Sequence, residues 1–349
     1  MSMRRVLGLL LVLHVLLLSL PSGSADYLGA ESLDFYVVAT YGDAAVLSLE
    51  YTTYSPSMSG ALVPSACCVH YNFYINSSGA YFMGRSWEAP VVYQYRGFYY
   101  LFVASMDGSI RVYRMGRDCF EPVTAVKSNT DGEPNFAVAV PYLVVQTGEN
   151  ELVAVNVARN ITAGVLDLRE AESGTYFKGV TVVKGEHGVR LTGDAPEEMP
   201  RGVSVSVSGG RLMVPGAGLE LPLDAVTAHL WAAEEAGHLQ AYELENAVLL
   251  VPPSIMHYFA PDSNSSGELL EFGNESVGIR GISSLSVLYC DGGLKAFPLG
   301  QPVGSEFRVT SENVTYTECT VPRVYALEFW AAVVLLALIG FTWFFMVRR

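Results

Sequence analysis

Short apolar segments separated by glycine-containing turns recur along this chain, and they constrain its fold more than any other feature. The clearest stretch is 89–115 (APVVYQY-RG-FYYLFVASM-DG-SIRVYRM). Arg96-Gly97 and Asp107-Gly108 each separate two β-rich runs, and Asp-Gly is among the strongest short signals for a hairpin turn. The stretch therefore predicts a meander of three strands.

Further hairpins are predicted on the same plan. Residues 203–214 (VSVSVSGGRLMV) alternate strictly into Gly209-Gly210, which indicates one buried and one solvated face. Looser examples occupy 36–50, 71–83, 142–157, 180–191, 228–244 and 285–299. Their turn glycines are separated by 29 to 55 residues. This is an irregular repeat of about 40 residues, which is the length of a four-stranded propeller blade.

One segment also resembles a known repeat family. Residues 142–165 (YLVVQTGENELVAVNVARNITAGV) look similar to one blade of the YVTN/pyrroloquinoline-quinone-type β-propeller repeats. In those repeats a strand and a turn lead to a Val-x-Val strand with a polar residue after it, and residues 153–156 (VAVN) fill that place. Residues 102–114 and 287–299 resemble the same half-blade. The resemblance implies an architecture and carries no site residues.

We therefore predict an all-β protein, a β-propeller of about six or seven irregular blades. The alternative is a tandem pair of β-sandwich domains, which also turn every 8–12 residues or so. A short helix is predicted within 223–240 (LDAVTAHLWAAEEAGHLQ), because good helix formers dominate it. Loops are predicted at 55–65, 194–201 and 252–281.

Both ends of the chain carry apolar targeting signals. Arg4 and Arg5 precede an apolar run over 6–20, and small residues follow up to Ala25. This is the pattern of a secretory signal peptide, with an uncleaved anchor as the alternative. Residues 329–347 (FWAAVVLLALIGFTWFFMV) carry no charge and would extend about 28 Å as a helix, enough to span a membrane.

The residues near the ends of the C-terminal apolar segment also favour a membrane anchor. Trp330 and Trp343 lie towards its ends, where indoles prefer the headgroup level, and Arg348 and Arg349 favour the cytoplasmic side. We predict a type I cell-membrane protein with one span and an exported N-terminal region. Its parts are a signal peptide (1–25), a β-rich ectodomain (26–300), a final strand or stalk (301–327), a transmembrane helix (328–347) and a tail (348–349).

The exported region is acidic and holds several potential glycan acceptors. Excluding the four terminal arginines, 17 basic residues stand against 35 acidic ones. Such a charge repels phosphate backbones, so nucleic acid is excluded as a partner. Five Asn-x-Ser/Thr sequons are candidate glycosylation sites, with the best placed in one polar loop at Asn264 and Asn274. The other three are Asn76, Asn160 and Asn313.

Five cysteines are candidates for disulfide bonds: Cys67, Cys68, Cys119, Cys290 and Cys319. One or two disulfides are expected in an oxidising compartment, and the odd number leaves at least one thiol without a partner in the chain. Cys67-Cys68-Val69-His70 resembles half of a zinc site, but no second pair of ligands completes it. We therefore predict neither a metal nor another cofactor.

Motifs for a known chemistry are absent from the sequence, including the nucleophile elbow, the His-Glu-x-x-His zinc motif, the P-loop and the dinucleotide fingerprint. Tyrosine is the conspicuous side chain. Tyr93, Tyr95, Tyr99 and Tyr100 crowd one meander, which predicts a platform for a glycan or a protein. The alternative for these four residues is ordinary core packing.

These observations lead to one hypothesis and two rivals. The leading hypothesis is a non-catalytic, membrane-anchored surface protein whose β ectodomain binds a protein or glycan partner. One rival is a structural component of the cell envelope or of a membrane complex. The other is an extracytoplasmic enzyme whose site lies at the mouth of the propeller.

Overall fold

The chain forms a series of antiparallel β-sheets. This computed structural model describes residues 29–57, 61–116, 119–128, 132–186, 188–228, 239–259, 276–277, 285–291, 293–303, 306–309 and 334–336. Strands within these ranges form seven sheets, which we label A to G. The all-β prediction is confirmed.

Sheets A, B and C are built mostly from consecutive strands. Sheet A contains β1 (Gly29–Tyr41), β2 (Ala44–Pro56), β3 (Leu62–Asn76) and β4 (Gly79–Ser86), and the later β22 (Ile255–Phe259) pairs with β1. Sheet B contains β5 (Val91–Tyr95), β6 (Phe98–Ala104), β7 (Ser109–Met115) and β8 (Phe120–Lys127). Sheet C contains β9 (Phe136–Ala139), β10 (Tyr142–Gly148), β11 (Glu151–Asn156) and β12 (Ile161–Asp167).

The other sheets are smaller or less sequential. Sheet D contains β13 (Thr175–Phe177), β14 (Val180–Gly185) and β15 (Gly188–Thr192). Sheet E contains β16 (Val203–Ser204), β20 (Gln240–Glu243), β21 (Val248–Val251), β24 (Ser286–Cys290) and β25 (Leu294–Pro298). Sheet F contains β17 (Ser206–Ser208), β18 (Arg211–Val214) and β19 (Leu219–Pro222), and the helix α1 (Leu223–Thr227) follows it. Sheet G contains β23 (Ser276–Val277), β26 (Gly300–Val303) and β27 (Glu306–Val309).

The turns follow the residue types that the sequence supplies. Arg96 and Gly97 both have positive φ, 53° and 82°, as a two-residue turn with the twist of its flanking strands requires. Gly209 and Gly210 do the same, with φ of 57° and 73°. The meander predicted over 89–115 is therefore confirmed as β5, β6 and β7.

Apolar clusters join six sheets face to face in the order D, C, B, A, E, F. Leu47 and Leu49 of sheet A pack with Leu249 of sheet E, whereas Val46 packs with Leu101 of sheet B. The cause is local, because consecutive apolar residues of a strand point to opposite faces. The other interfaces, B–C, C–D and E–F, are formed in the same way.

Four of these sheets are covered on both faces. Sheets A, B, C and E each contribute to two apolar clusters. In a two-layer sandwich the inner faces of both sheets form a single core. The stack of described sheets is therefore not a tandem pair of sandwiches. No apolar cluster of the described residues joins sheet D to sheet F.

Some details of the predicted elements are wrong. The strand predicted before Gly209 is divided at Val205, so β16 belongs to sheet E and β17 to sheet F. Its expected buried face is missing, since Val203 and Val207 are exposed and only Val205 between them is buried. The loop predicted at 55–65 is shorter, because β2 and β3 continue their pairing to Pro56 and Leu62.

Other predictions fall partly outside the described residues. The helix predicted within 223–240 is confirmed only as α1, and residues 229–238 are not described. The segment predicted as a final strand or a stalk (301–327) begins with the hairpin of β26 and β27, and its residues 310–327 are not described. Residues 1–25 and most of 329–347 are not described. Within the described part of the chain, no helix is long and apolar enough to cross a membrane.

Close approach of sheets C and D depends on a glycine, which gives a first testable prediction. Gly179 has φ +91°, and a Cβ there would lie 2.5 Å from the Cβ of Ala139. We expect Gly179→Ala to lower the free energy of unfolding by about 1–3 kcal/mol more than Gly174→Ala, because it adds overlap between two sheets. Thermal or denaturant unfolding of both variants measures the difference.

Gly174 is a matched control. Its φ is +92°, but a Cβ there would meet nothing within 4 Å. Both substitutions carry the same backbone strain of about 1–2 kcal/mol. Equal destabilisation by the two variants would contradict the close contact between sheets C and D.

Candidate functional site

A cavity of about 590 Å³ lies where sheets B, C and D converge. Its walls come from β5, from the segment 133–138 that enters β9, and from the end of β15. Polar lining comes from Glu88, Glu133, Asn135, Arg190, Thr192 and Asp194. This volume lies within the range of about 300–1,000 Å³ that is usual for ligand pockets. The cavity is the candidate functional site.

Residues 193–200, which we name the strap, follow β15 and bind the free edges of two sheets. The amide of Asp194 donates to the carbonyl of Val138 on β9 (2.7 Å), and the amide of Glu197 donates to the carbonyl of Val92 on β5 (2.8 Å). The amide of Val140 donates to Asp194 Oδ2 (3.0 Å). The strap therefore takes the place of an added strand along β9 and β5.

The strap approaches β9 closely because of a glycine. A Cβ on Gly193 would lie 2.0 Å from the carbonyl oxygen of Val138. Tyr93 strengthens the attachment, since its hydroxyl donates to the carbonyl of Asp194 (3.2 Å). Glycine at this position lets the two backbones meet.

Part of the β9 edge still faces the cavity. The amide of Gln146 on β10 donates to the carbonyl of Asn135, so the backbone groups of Asn135 point towards β10. The backbone groups of the next residue, Phe136, point in the opposite direction, because successive residues of a strand alternate in an antiparallel ladder. Phe136 lines the cavity, and its N–H and C=O point away from β10.

Two carboxyl groups form a pair at this cavity. Burial raises the pKa of Glu133 above its usual value, and the charge and hydrogen bond of Glu88 raise it further. Asn135 holds the neighbouring backbone in place, since its Nδ2 donates to the carbonyl of Val189 on β15 (2.8 Å) and to Gln146 Oε1 (2.9 Å). Arg190, next to Val189, supplies a cation on the sheet D side.

A buried chain of polar side chains in sheet A ends at Glu88. Ser86 Oγ donates to the Glu88 carbonyl (2.6 Å), and Asn72 Nδ2 donates to Ser86 Oγ (2.7 Å). Ser48 Oγ in turn donates to Asn72 Oδ1 (2.8 Å). Since each hydroxyl has one proton, His70 Nδ1 must be the donor in its contact with Ser48 Oγ (3.0 Å).

His70 completes this chain as a neutral, oriented imidazole. Burial lowers its pKa, and the charges of Glu50 and Glu88 act in the opposite direction. Its Nε2 lies 3.9 Å from Glu50 Oε2. No sequence motif marks these residues, because four strand positions and a following loop come together only in the folded sheet. They anchor the backbone of Glu88 at the cavity.

The four tyrosines predicted as a binding platform lie in different environments. Tyr93 and Tyr100 are buried, 7% and 3% exposed, in the core between sheets B and C, and Tyr93 also lines the cavity. Tyr95 and Tyr99 are half-buried, and Tyr99 packs against Tyr41 with ring centroids 5.0 Å apart. Two of the four are therefore core residues, because sheet B is covered on both faces.

Two of the predicted glycan acceptors can be placed. Asn160 is exposed in the turn before β12, with φ 49°. Asn76 is half-exposed in the β3–β4 turn, where its Oδ1 accepts from the amides of Ser78 (2.8 Å) and Gly79 (3.2 Å). Asn264, Asn274 and Asn313 lie outside the described residues, as do Trp330, Trp343, Arg348 and Arg349.

The cysteines differ in environment. Cys119 is disulfide-bonded, and its partner lies outside the described side chains, as do Cys67 and Cys319. Cys290 is buried between sheets E and F, and burial raises the pKa of its thiol to about 12. Cys68 is half-buried and accepts a weak bond from Thr52 Oγ1 (3.9 Å). Among the residues the structure describes, no group of three or more His, Cys, Asp or Glu side chains could hold a metal ion.

Comparison with known proteins gives no family for this chain. No protein-family model matches it, and no curated protein matches its sequence. Solved structures with some similarity include BamB from Moraxella catarrhalis, at 13% identity and TM-score 0.21, covering 62% of this chain and 82% of that one. Another is Sqt1 from Saccharomyces cerevisiae, at 12% identity and TM-score 0.21, covering 76% and 87%.

A third similar structure is a chain of the mitotic checkpoint complex, at 10% identity and TM-score 0.16, covering 53% of this chain and 87% of that one. These neighbours are propeller-like proteins. Their TM-scores are too low to support an argument about fold or function.

The attachment of the strap gives a second prediction. We expect Gly193→Ala to detach it, because the new Cβ would overlap the Val138 carbonyl. Trypsin should then cleave after Arg201 several times faster than in the unsubstituted protein, as measured by mass spectrometry of timed digests. Gly293→Ala is the control, since a Cβ there would meet nothing within 4 Å. An unchanged cleavage rate in Gly193→Ala would contradict the docked strap.

Proposed function

We propose that this protein is a non-catalytic, membrane-anchored surface protein whose β ectodomain binds a protein or glycan partner at the cavity. The observation that carries the proposal is a ligand-sized cavity, about 590 Å³, with charged groups and a free strand edge in its wall. The membrane and surface parts rest on the apolar segments at 6–20 and 329–347 and on the two arginines that follow the second.

The proposal includes a propeller-like arrangement of the stacked sheets. Support comes from sheets B and C, which are four-stranded meanders in chain order, as propeller blades are. Their first strands, β5 and β9, lie together along the strap. In this arrangement the strap and the cavity occupy the centre, where the inner strands of blades meet.

The charged lining of the cavity suits a ligand held by more than one side chain. Glu88, Glu133 and Asp194 line it together with one cation, Arg190. The charge and hydrogen bond of Glu88 raise the pKa of Glu133, so the two carboxyl groups act on each other at one place in the wall. A positively charged group of a ligand can interact with both.

A crosslinking experiment on cells of the native host tests this function. Thr192 is exposed and lines the cavity. We expect a full-length protein with a photo-crosslinking amino acid at Thr192 to form a covalent adduct when intact cells are illuminated. Mass spectrometry of the adduct distinguishes a protein from a glycan. A membrane-impermeant biotin reagent should label the same adduct before lysis.

The control places the same amino acid at Glu170, an exposed position between sheets C and D that does not line the cavity. An adduct specific to Thr192 supports the proposed site. Equal adducts at both positions, or none at Thr192, would contradict binding at the cavity. Labelling by biotin only after lysis would contradict the surface location.

A further inference from the structure

The strap shows how the inner strand edges of this protein bind an extended chain. Its amides at Asp194 and Glu197 donate to the carbonyls of Val138 and Val92. These are main-chain bonds to the free edges of β9 and β5, as when a peptide adds a strand to a sheet. The edges are therefore competent for main-chain pairing, and the strap uses only part of them.

The unused part of the β9 edge lies inside the cavity. The N–H and C=O of Phe136 point away from β10, and the ladder with β10 continues only on the other side of β9. A free strand edge readily pairs with another chain. Two backbone groups of Phe136 can thus bind one residue of an added segment.

The charged side chains near this edge favour a positively charged ligand. The pair Glu88 and Glu133 lines the cavity, and so does Asp194, whose Oδ2 already accepts from Val140. Arg190 is the single cation among the described lining residues. Outside the terminal arginines the chain is strongly acidic, with 17 basic against 35 acidic residues. The field therefore attracts positive groups, and it raises the rate of encounter with a basic partner.

We infer that the cavity binds an extended segment of a partner protein that carries a lysine or an arginine. The segment pairs its backbone with Phe136 on the β9 edge, beyond the strap, and its cation lies between Glu88 and Glu133. This inference rests on the proposed function, because it specifies the partner that the cavity takes.

Peptide arrays test the inference on the full-length protein in detergent micelles. The probes are end-capped pentapeptide mixtures with lysine, arginine, glutamine or norleucine fixed at the central position. We expect the protein to bind the mixtures with a central lysine or arginine and not those with glutamine or norleucine. The strongest binder is then resynthesised for calorimetric titration. Its affinity should fall by about tenfold in the double variant Glu88→Gln, Glu133→Gln, and should be unchanged in Glu149→Gln.

Glu149 is a matched control, since it is an exposed carboxylate in the β10–β11 turn and does not line the cavity. Backbone pairing has a signature of its own. N-methylation of the peptide residue that pairs with Phe136 should abolish binding, while N-methylation of the next residue should not. A purely electrostatic surface contact would be insensitive to both changes.

Two outcomes overturn the inference in distinguishable ways. A glycan array provides the second arm. Suppose that a glycan binds and loses affinity in the double Gln variant, whereas no basic peptide binds in this way. The peptide inference is then wrong, and the proposed function stands. If neither peptides nor glycans bind in a manner that depends on Glu88 and Glu133, the proposed function at this cavity fails as well.

Discussion

The main-chain bonds between the strap and the edges of β9 and β5 are the contact on which the site depends. Sheets B and C each begin with a strand that has a neighbour on one side only. A buried N–H or C=O without a partner costs about 1–3 kcal/mol, so these edges need a covering chain. Residues 193–197 supply it, and they fix the distance between the two sheets where the cavity opens. The cavity exists because the strap covers only part of the edge.

The rest of the structure holds this arrangement in place from two sides. Tyr93, buried between sheets B and C, also binds the strap through its hydroxyl group. On the other side, the hydrogen-bonded series from His70 to Ser86 fixes the backbone of Glu88. Fully paired buried networks of this kind orient their members rigidly. The strap and the backbone of Glu88, which both border the cavity, are therefore each attached to a well-packed sheet.

Local chemistry made the hairpins predictable from the sequence, whereas the contacts between distant segments could not be predicted in this way. Arg96-Gly97 and Gly209-Gly210 define their turns by themselves, since both positions of each turn have positive φ. The strap was predicted only as a loop, because its partners are backbone groups of other sheets and leave no pattern in its own sequence. The polar chain in sheet A was missed for the same reason. The burial of Tyr93 had a usable signal, since the unbroken apolar run 91–93 (VVY) indicates a strand covered on both faces.

The central claim is that the strap behaves as a strand of the sheets it covers. Hydrogen exchange of the full-length protein tests this most directly, by comparing the amides of Asp194 and Glu197 with those of the strands in sheets B and C. If the strap is docked, its two amides exchange slowly and open together with β9 and β5. Exchange as fast as at the exposed loop residue Glu172 would contradict the account, because the strap would then leave both edges uncovered.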